Sequence, residues 1–279
     1  MKVLNITLII TAFLVTGLYP DSTSLSDNGS FPTFCQLAAL SPSSFAQFRK
    51  GQPCCQIVET VSAQEGFACL EIVKKQSPDF LNYKDVFVKG DKVGGPHTYF
   101  YPEMGHLSPT TLRYIKVASD FVKHFGTLND LTIVEIGGGY GGQCKIIADL
   151  FKCKHYIIID IPSSLALTKK FLHEQGVTNV TFLTPNDPLP TENIDLVISN
   201  YAYSELVTDL RKNYLDKVLR HARNGYMICN LDHAFDPKSE YANKSTLLSE
   251  LIGAHIPFKV LDEVPKTGPD NYLVVWTKK

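Results

Sequence analysis

A run of glycines between an apolar segment and a helical segment constrains the fold of this chain more than any other feature. Residues 131–136 (LTIVEI) are mostly apolar, residues 137–142 (GGGYGG) contain five glycines, and residues 143–151 have helical spacing. A strand, a glycine turn and a helix in this order place a ligand at the helix N-terminus, because glycine turns the chain sharply and leaves the backbone open to contact. The pattern predicts a nucleotide-type cofactor at this turn.

Apolar segments and helical segments alternate after the glycine run. Further predicted strands cover residues 155–160, 177–183, 194–199 and 225–230, and predicted helices cover residues 163–175 and 206–222. Such alternation is typical of a parallel sheet covered on both faces. The last two strands, 258–264 and 272–277, have no helix between them. The predicted fold class is therefore α/β, a Rossmann-like sheet that is mostly parallel with a C-terminal antiparallel hairpin, plus a small helical N-terminal extension.

The residues before the sheet divide into segments of different composition. Residues 1–20 contain Lys2 and an apolar run, for which a signal peptide, an uncleaved membrane anchor and a buried first helix are alternatives. Residues 21–33 are rich in polar and glycine residues and predict a linker. Residues 34–109 predict a helical unit that ends in a Gly- and Pro-rich lid loop, and residues 110–279 predict the domain that contains the glycine run.

Charge and cysteine spacing disfavour two classes of ligand. The chain has 27 basic and 28 acidic residues, and without a basic excess it lacks the charge that holds nucleic acid. The seven cysteines include no Cys-x-x-Cys pair, which disfavours a zinc knuckle. A metal site of Asp232, His233 and a lid-loop histidine is an alternative that no sequence spacing specifies, so no metal ligand is predicted. Cys54 and Cys55 can form bridges to Cys35 and Cys69 if the chain is exported. The alternative is that the cysteines are small buried hydrophobic residues.

Two acidic residues beside the glycine run discriminate between cofactors. Gly137, Gly139 and Gly142 satisfy the dinucleotide pattern Gly-x-Gly-x-x-Gly, so an NAD-linked oxidoreductase is an alternative. Glu135 ends the first strand, where a carboxylate attracts the ammonium and sulfonium of S-adenosylmethionine and repels the pyrophosphate of NAD. Asp160 ends the second strand, where a carboxylate accepts ribose hydroxyls, although it can equally cap a helix. Together with the final hairpin, these residues favour S-adenosylmethionine.

Several segments around these residues resemble the sugar O-methyltransferase family of class I methyltransferases. The matching segments are residues 91–96 (DKVGGP), 107–114 (LSPTTLRY), 135–142 (EIGGGYGG), 156–162 (YIIIDIP) and 195–205 (DLVISNYAYSE). The resemblance covers the chain from about residue 91 onward. It implies an S-adenosylmethionine-dependent O-methyltransferase that acts on a hydroxyl of a sugar or glycoconjugate.

Predicted site residues lie at the strand ends and in the lid loop. The predicted cofactor contacts are Glu135, Gly137, Gly138, Gly139, Tyr140, Gly141, Asp160, Ile161 and Asn200, and the predicted substrate contacts are Tyr203, Asn200, His97, His106 and Arg113. Glu205 and His233 follow the fourth and fifth strands, where catalytic groups of such sheets lie, and each can take a hydroxyl proton as a general base. The alternatives are a helix-dipole partner for Glu205 and a solvated histidine for His233.

Other functions and locations stay open at this stage. A non-catalytic methyltransferase-like binding protein is a third interpretation beside the methyltransferase and the NAD-linked oxidoreductase. A Ser-His-Asp hydrolase is disfavoured, because the sequence has no Gly-x-Ser-x-Gly segment. The N-terminal apolar run predicts the secretory pathway or membrane attachment, with a cytoplasmic location as the alternative.

Overall fold

A computed structural model describes residue 24, residues 29–230 and residues 243–278. The predicted signal or anchor segment, residues 1–20, and His233 lie outside the described residues. Among the described residues, no helix combines the length and hydropathy that a membrane crossing requires.

Residues 30–91 form a unit of five helices. These are α1 (Ser30–Leu40), α2 (Pro42–Phe45), α3 (Gln52–Ile57), α4 (Ala63–Gln76) and α5 (Lys84–Asp91). Helix α1 begins inside the predicted linker, because Phe31 is buried and ties this segment to the core. Helix α4 begins with a capping box, in which Ser62 and Glu65 satisfy each other's backbone N–H groups.

The predicted lid loop, residues 89–109, contains a short antiparallel hairpin. Strands β1 (Tyr99–Tyr101) and β2 (Gly105–Leu107) pair directly. Tyr101 and Leu107 are buried, whereas His106 is exposed. Helix α6 (Pro109–Phe125) follows at once and packs against α4.

The described residues from 132 onward form one seven-stranded sheet with its helices. In chain order the elements are β3 (Thr132–Ile136), α7 (Gly142–Leu150), β4 (His155–Ile159), α8 (Pro162–Glu174), β5 (Val180–Leu183), β6 (Ile194–Asn200), α9 (Thr208–Tyr214), β7 (Ala222–Cys229), α10 (Lys244–Gly253), β8 (Phe258–Asp262) and β9 (Tyr272–Thr277). The strand order is β5-β4-β3-β6-β7-β9-β8, with β9 antiparallel to both of its neighbours and the other pairs parallel. The predicted fold class is confirmed.

The alternation of side chains along β3 decides where its carboxylate points. Val134 and Ile136 belong to the apolar cluster with α9 and α10, whereas Ile133 belongs to the cluster with α6, α7 and α8. Glu135 therefore lies on the α6 and α7 side of the sheet. Strand β3 has β4 on one edge and β6 on the other, which is the point of an open α/β sheet where the crossover direction reverses and a ligand crevice forms.

Candidate functional site

A large cavity opens at the carboxyl ends of β3, β4 and β6. Its lining includes residues from the sheet, from α6 and from the N-terminal unit: Phe31, Ile57, Val58, Arg113, Tyr114, Glu135, Gly137, Gly138, Gly139, Gln143, Asp160, Ile161, Pro185, Asn200, Tyr201, Glu205, Leu206, Leu210 and Tyr214. Its empty space is about 940 Å³ when the open mouth is included. We call this cavity the central pocket.

The glycine turn allows the backbone after β6 to lie close to the backbone after β3 at the pocket. Gly137 has a φ of 75°, in the left-handed region, and a Cβ there would lie 2.1 Å from the Cβ of Ala202. A larger residue at this position would therefore be strained in its backbone and would collide with the segment after β6. Glycine at 137 is what allows the ends of β3 and β6 to approach each other at the pocket.

Glu135 places a buried carboxylate in the pocket wall. Its side chain is 2 % exposed, and its Oε2 accepts a hydrogen bond from the Tyr156 hydroxyl at 2.9 Å. Burial raises the pKa of Glu135 to about 8, with a further contribution from Asp160, and the Tyr156 hydrogen bond opposes this rise. No basic side chain of the described residues forms an ion pair with Glu135. A cationic ligand group would stabilise the ionised form.

Asp160 ties the glycine turn to the end of β4. Its Oδ2 accepts from the Gly139 N–H at 3.0 Å, and its Oδ1 accepts from the Ile161 N–H at 2.8 Å. The carboxylate is half-buried and lines the pocket beside Ile161. This is the position from which an acceptor meets the hydroxyls of a ribose.

Asn200, at the end of β6, has an unsatisfied buried oxygen. Its Nδ2 lies 3.5 Å from Oε1 of Gln143, whose own Nε2 donates to the Tyr114 carbonyl at 3.1 Å. Its Oδ1 is buried and accepts no hydrogen bond from any described residue. Because a buried acceptor without a donor is costly, this atom is a candidate ligand contact.

Glu205 also lines the pocket, beyond the end of β6. The Asn230 Nδ2 donates to its Oε1 at 2.5 Å, and the Ser204 hydroxyl lies 2.9 Å from Oδ1 of Asn230. The Asn230 side chain, just after β7, therefore holds Glu205, and Ser204 in turn holds Asn230.

The structure places five of the predicted contacts away from the pocket lining. Tyr203 is buried in the core, where its hydroxyl donates to the Arg211 carbonyl at 3.2 Å. Tyr140 donates to Glu59 at 2.8 Å instead of facing the pocket, and Gly141 is the residue at which α7 is capped. His97 and His106 are exposed, before and within the β1–β2 hairpin.

Residues of the N-terminal unit close the pocket, which the sequence did not reveal. Phe31 of α1, Ile57 of α3 and Val58 line the cavity. A Cβ at Gly139 would lie 3.7 Å from a methyl of Val58, so Val58 covers the glycine turn. No sequence motif marks these positions, which are ordinary apolar residues.

A buried cluster of charges holds the covering segment in place. Arg49 pairs with Glu59 at 2.5 Å and with Asp91 at 2.6 Å. The Ser108 hydroxyl donates to Glu59 at 2.7 Å. Burial alone would raise the pKa of Glu59, but the Arg49 charge and the hydrogen bonds from Arg49, Ser108 and Tyr140 hold it below its usual value. We call Arg49, Glu59 and Asp91 the Arg49 cluster.

The cysteines are free thiols. Cys35, Cys54 and Cys69 are buried in the N-terminal unit, as the alternative to disulfide bridges predicts. Within the described ranges, no group of three His, Cys, Asp or Glu side chains has the arrangement of a metal site.

Comparison with known proteins finds structural similarity without sequence relatives. No protein-family model matches the chain, and no curated protein matches it significantly. The geranyl diphosphate C-methyltransferase of Streptomyces coelicolor A3(2), solved with S-adenosyl-L-homocysteine, is 10% identical with a TM-score of 0.48 over 60% of this chain and 82% of that chain. Mitomycin 7-O-methyltransferase is 15% identical (TM-score 0.43; 60% and 57%). An rRNA methylase from Streptococcus thermophilus is 18% identical (TM-score 0.41; 60% and 96%).

Proposed function

We propose that the chain is an S-adenosylmethionine-dependent methyltransferase. The observation that carries this proposal is Glu135, a buried carboxylate that faces the central pocket without a cationic partner among the described residues. A buried carboxylate of this kind is costly until a cation reaches it. S-adenosylmethionine has an ammonium group and a sulfonium group, whereas NAD would bring a pyrophosphate to the same carboxylate.

The other polar groups of the pocket fit the same cofactor. Asp160 offers acceptors for ribose hydroxyls at the end of β4. The unsatisfied Oδ1 of Asn200 offers a second acceptor for the ammonium. The glycine turn lets backbone approach the ligand between these two side chains. The bound cofactor would supply an electrophilic methyl group, so the protein has to orient the acceptor and receive its proton.

We propose further that the acceptor is a hydroxyl of a sugar or glycoconjugate. The support is the resemblance of residues 107–114 and 195–205 to the sugar O-methyltransferase family, together with the position of Glu205. This carboxylate lines the pocket and is oriented by Asn230, so it can accept a hydrogen bond from the acceptor hydroxyl and receive its proton. His233 stays a second proposed base. An N-terminal signal or anchor in residues 1–20 stays part of the proposal.

Binding of S-adenosylhomocysteine tests the cofactor assignment directly. Isothermal titration of the wild type is expected to show binding, and Glu135→Gln is expected to weaken it at least about tenfold, since a hydrogen bond to a charged group contributes roughly 1.5–3 kcal/mol. Glu174→Gln is the matched control, because Glu174 is exposed at the end of α8 and should leave affinity unchanged. A wild type that binds NADH but not S-adenosylhomocysteine would refute the assignment.

A further inference from the structure

Helix α6 contains two buried cations that differ in their partners. Lys116 is 6 % exposed and pairs with Asp120, one turn further along the helix, at 2.7 Å. Arg113 is 7 % exposed, yet no Asp or Glu of the described residues lies within salt-bridge distance of it. A desolvated cation without a counter-charge is unfavourable, so its retention in a pocket wall calls for an anion that the described residues do not supply.

The surroundings of Arg113 hold the guanidinium at the pocket without neutralising it. Its Nη2 donates to the Val58 carbonyl at 3.3 Å. The guanidinium carbon lies 5.4 Å from the ring centre of Tyr114 and 5.3 Å from that of Tyr201. Aromatic faces and a neutral carbonyl restrict the orientation of the side chain but supply no full negative charge.

Tyr201 supplies an independent sign that this corner of the pocket is built for a ligand. It directly follows β6 and has a φ of 71°, a backbone region that a bulky residue rarely adopts. Its hydroxyl donates to the buried Glu263, which keeps the ring against Arg113. Strained backbone that neighbouring contacts maintain occurs preferentially at ligand sites.

We propose that Arg113 is a carboxylate-binding subsite of the central pocket, and that the carboxylate it takes is the α-carboxylate of the cofactor. The inference rests on the proposed function and deepens it. Glu135 and Oδ1 of Asn200 offer acceptors to the ammonium, and the Arg113 fork offers donors to the carboxylate. Val58 and Tyr201, which orient Arg113, come from the cover of the glycine turn and from the end of β6. The amino-acid end of the cofactor would therefore lie between two groups of opposite charge.

A pair of ligands isolates the carboxylate in a binding experiment. S-adenosylhomocysteine contains the amino-acid end, whereas 5′-methylthioadenosine has the same adenosine and a thioether without it. Isothermal titration measures both ligands with the wild type, Arg113→Gln, Arg113→Lys and Lys116→Gln. Arg113→Gln is expected to lose roughly 10- to 100-fold in affinity for S-adenosylhomocysteine while its affinity for 5′-methylthioadenosine stays the same. Arg113→Lys is expected to recover part of the loss, because it keeps the charge but not the fork.

The control and the contrary results separate the inference from the proposed function. Lys116→Gln removes a buried charge from the same helix and should leave both affinities unchanged. Equal losses for both ligands in Arg113→Gln would mean a structural role and would overturn the inference. Unchanged affinity of Arg113→Gln for S-adenosylhomocysteine would overturn the inference too. If Arg113→Gln instead abolished binding of D-glucuronate, but not of D-glucose, to the S-adenosylhomocysteine complex, the carboxylate bound by Arg113 would belong to the substrate and not to the cofactor. A wild type that binds neither adenosine ligand would refute the proposed function itself.

Discussion

The Arg49 cluster and the central pocket both contain buried ionisable side chains, but only those of the cluster have partners of opposite charge among the described residues. In the Arg49 cluster each carboxylate has a cation and hydrogen-bond donors, and the pKa of Glu59 is held below its usual value. In the pocket, Glu135 is buried as deeply without a cation, and its pKa rises to about 8. Arg113 is buried there without a carboxylate among the described residues.

The difference shows that burial of a charge does not by itself mark a functional group. A closed set of charges holds the fold together, whereas an acidic and a basic side chain that remain unpaired in one cavity leave contacts for a ligand to make. The two regions are also joined. Val58 accepts a hydrogen bond from Arg113, and the next residue, Glu59, belongs to the cluster and accepts one from Tyr140 in the glycine turn.

Breaking the Arg49 cluster is expected to have the largest effect on stability. Arg49→Met leaves Glu59 and Asp91 buried without their cation, which should lower the free energy of unfolding by about 3–5 kcal/mol in urea denaturation. The matched control is Arg220→Met, which removes an exposed pair with Asp216 and should change stability by less than about 1 kcal/mol. Similar effects of the two variants would contradict a structural role for the cluster.

Removing the pocket carboxylate is expected to have the next largest effect, and its size depends on pH. The pKa of Glu135 is about 8 in the folded protein against a usual 4.5, so the folded state retains a proton that the unfolded state has lost between these pH values. The wild type therefore loses stability as the pH rises from 4.5 through 8, by up to about 4 kcal/mol. The Glu135→Gln variant does not lose stability in this way, because its amide does not titrate. Urea denaturation should show little difference near pH 5 and a more stable variant at pH 9, and parallel pH profiles of the two proteins would refute the raised pKa.

Loosening the connection between the two regions is expected to have the smallest effect. Tyr140→Phe removes one hydrogen bond to Glu59, which keeps Arg49 and Ser108 as partners. The free energy of unfolding should fall by about 1 kcal/mol, and the affinity for S-adenosylhomocysteine should stay unchanged. A marked loss of affinity with little loss of stability would instead place Tyr140 among the cofactor contacts, where the sequence pattern had put it.

Most side chains predicted at strand ends lie in the pocket, and the two histidines predicted in the lid loop do not. Glu135, Asp160 and Asn200 each follow or end a parallel strand, and parallel strands bring their carboxyl ends to one edge. His97 and His106 are predicted substrate contacts, but the burial of Tyr101 and Leu107 holds the β1–β2 hairpin in place and leaves His106 exposed to solvent. Tyr203 lies only two positions after Tyr201, yet a turn of 3₁₀ helix after β6 directs the Tyr203 side chain into the core.

The sequence by itself determined the strand–glycine–helix unit, the alternation that builds the sheet and the terminal hairpin. These features arise between residues close together in the chain, where backbone freedom and hydrophobic period decide the structure. Only the tertiary structure decided that the N-terminal unit covers the pocket, that Arg49 neutralises Glu59, and that Arg113 faces the cavity without a carboxylate among the described residues. Such pairings join residues as far apart in the sequence as Glu59 and Tyr140. Whether a buried charge has a partner within the chain depends on how distant segments pack, and a local sequence pattern does not predict that packing.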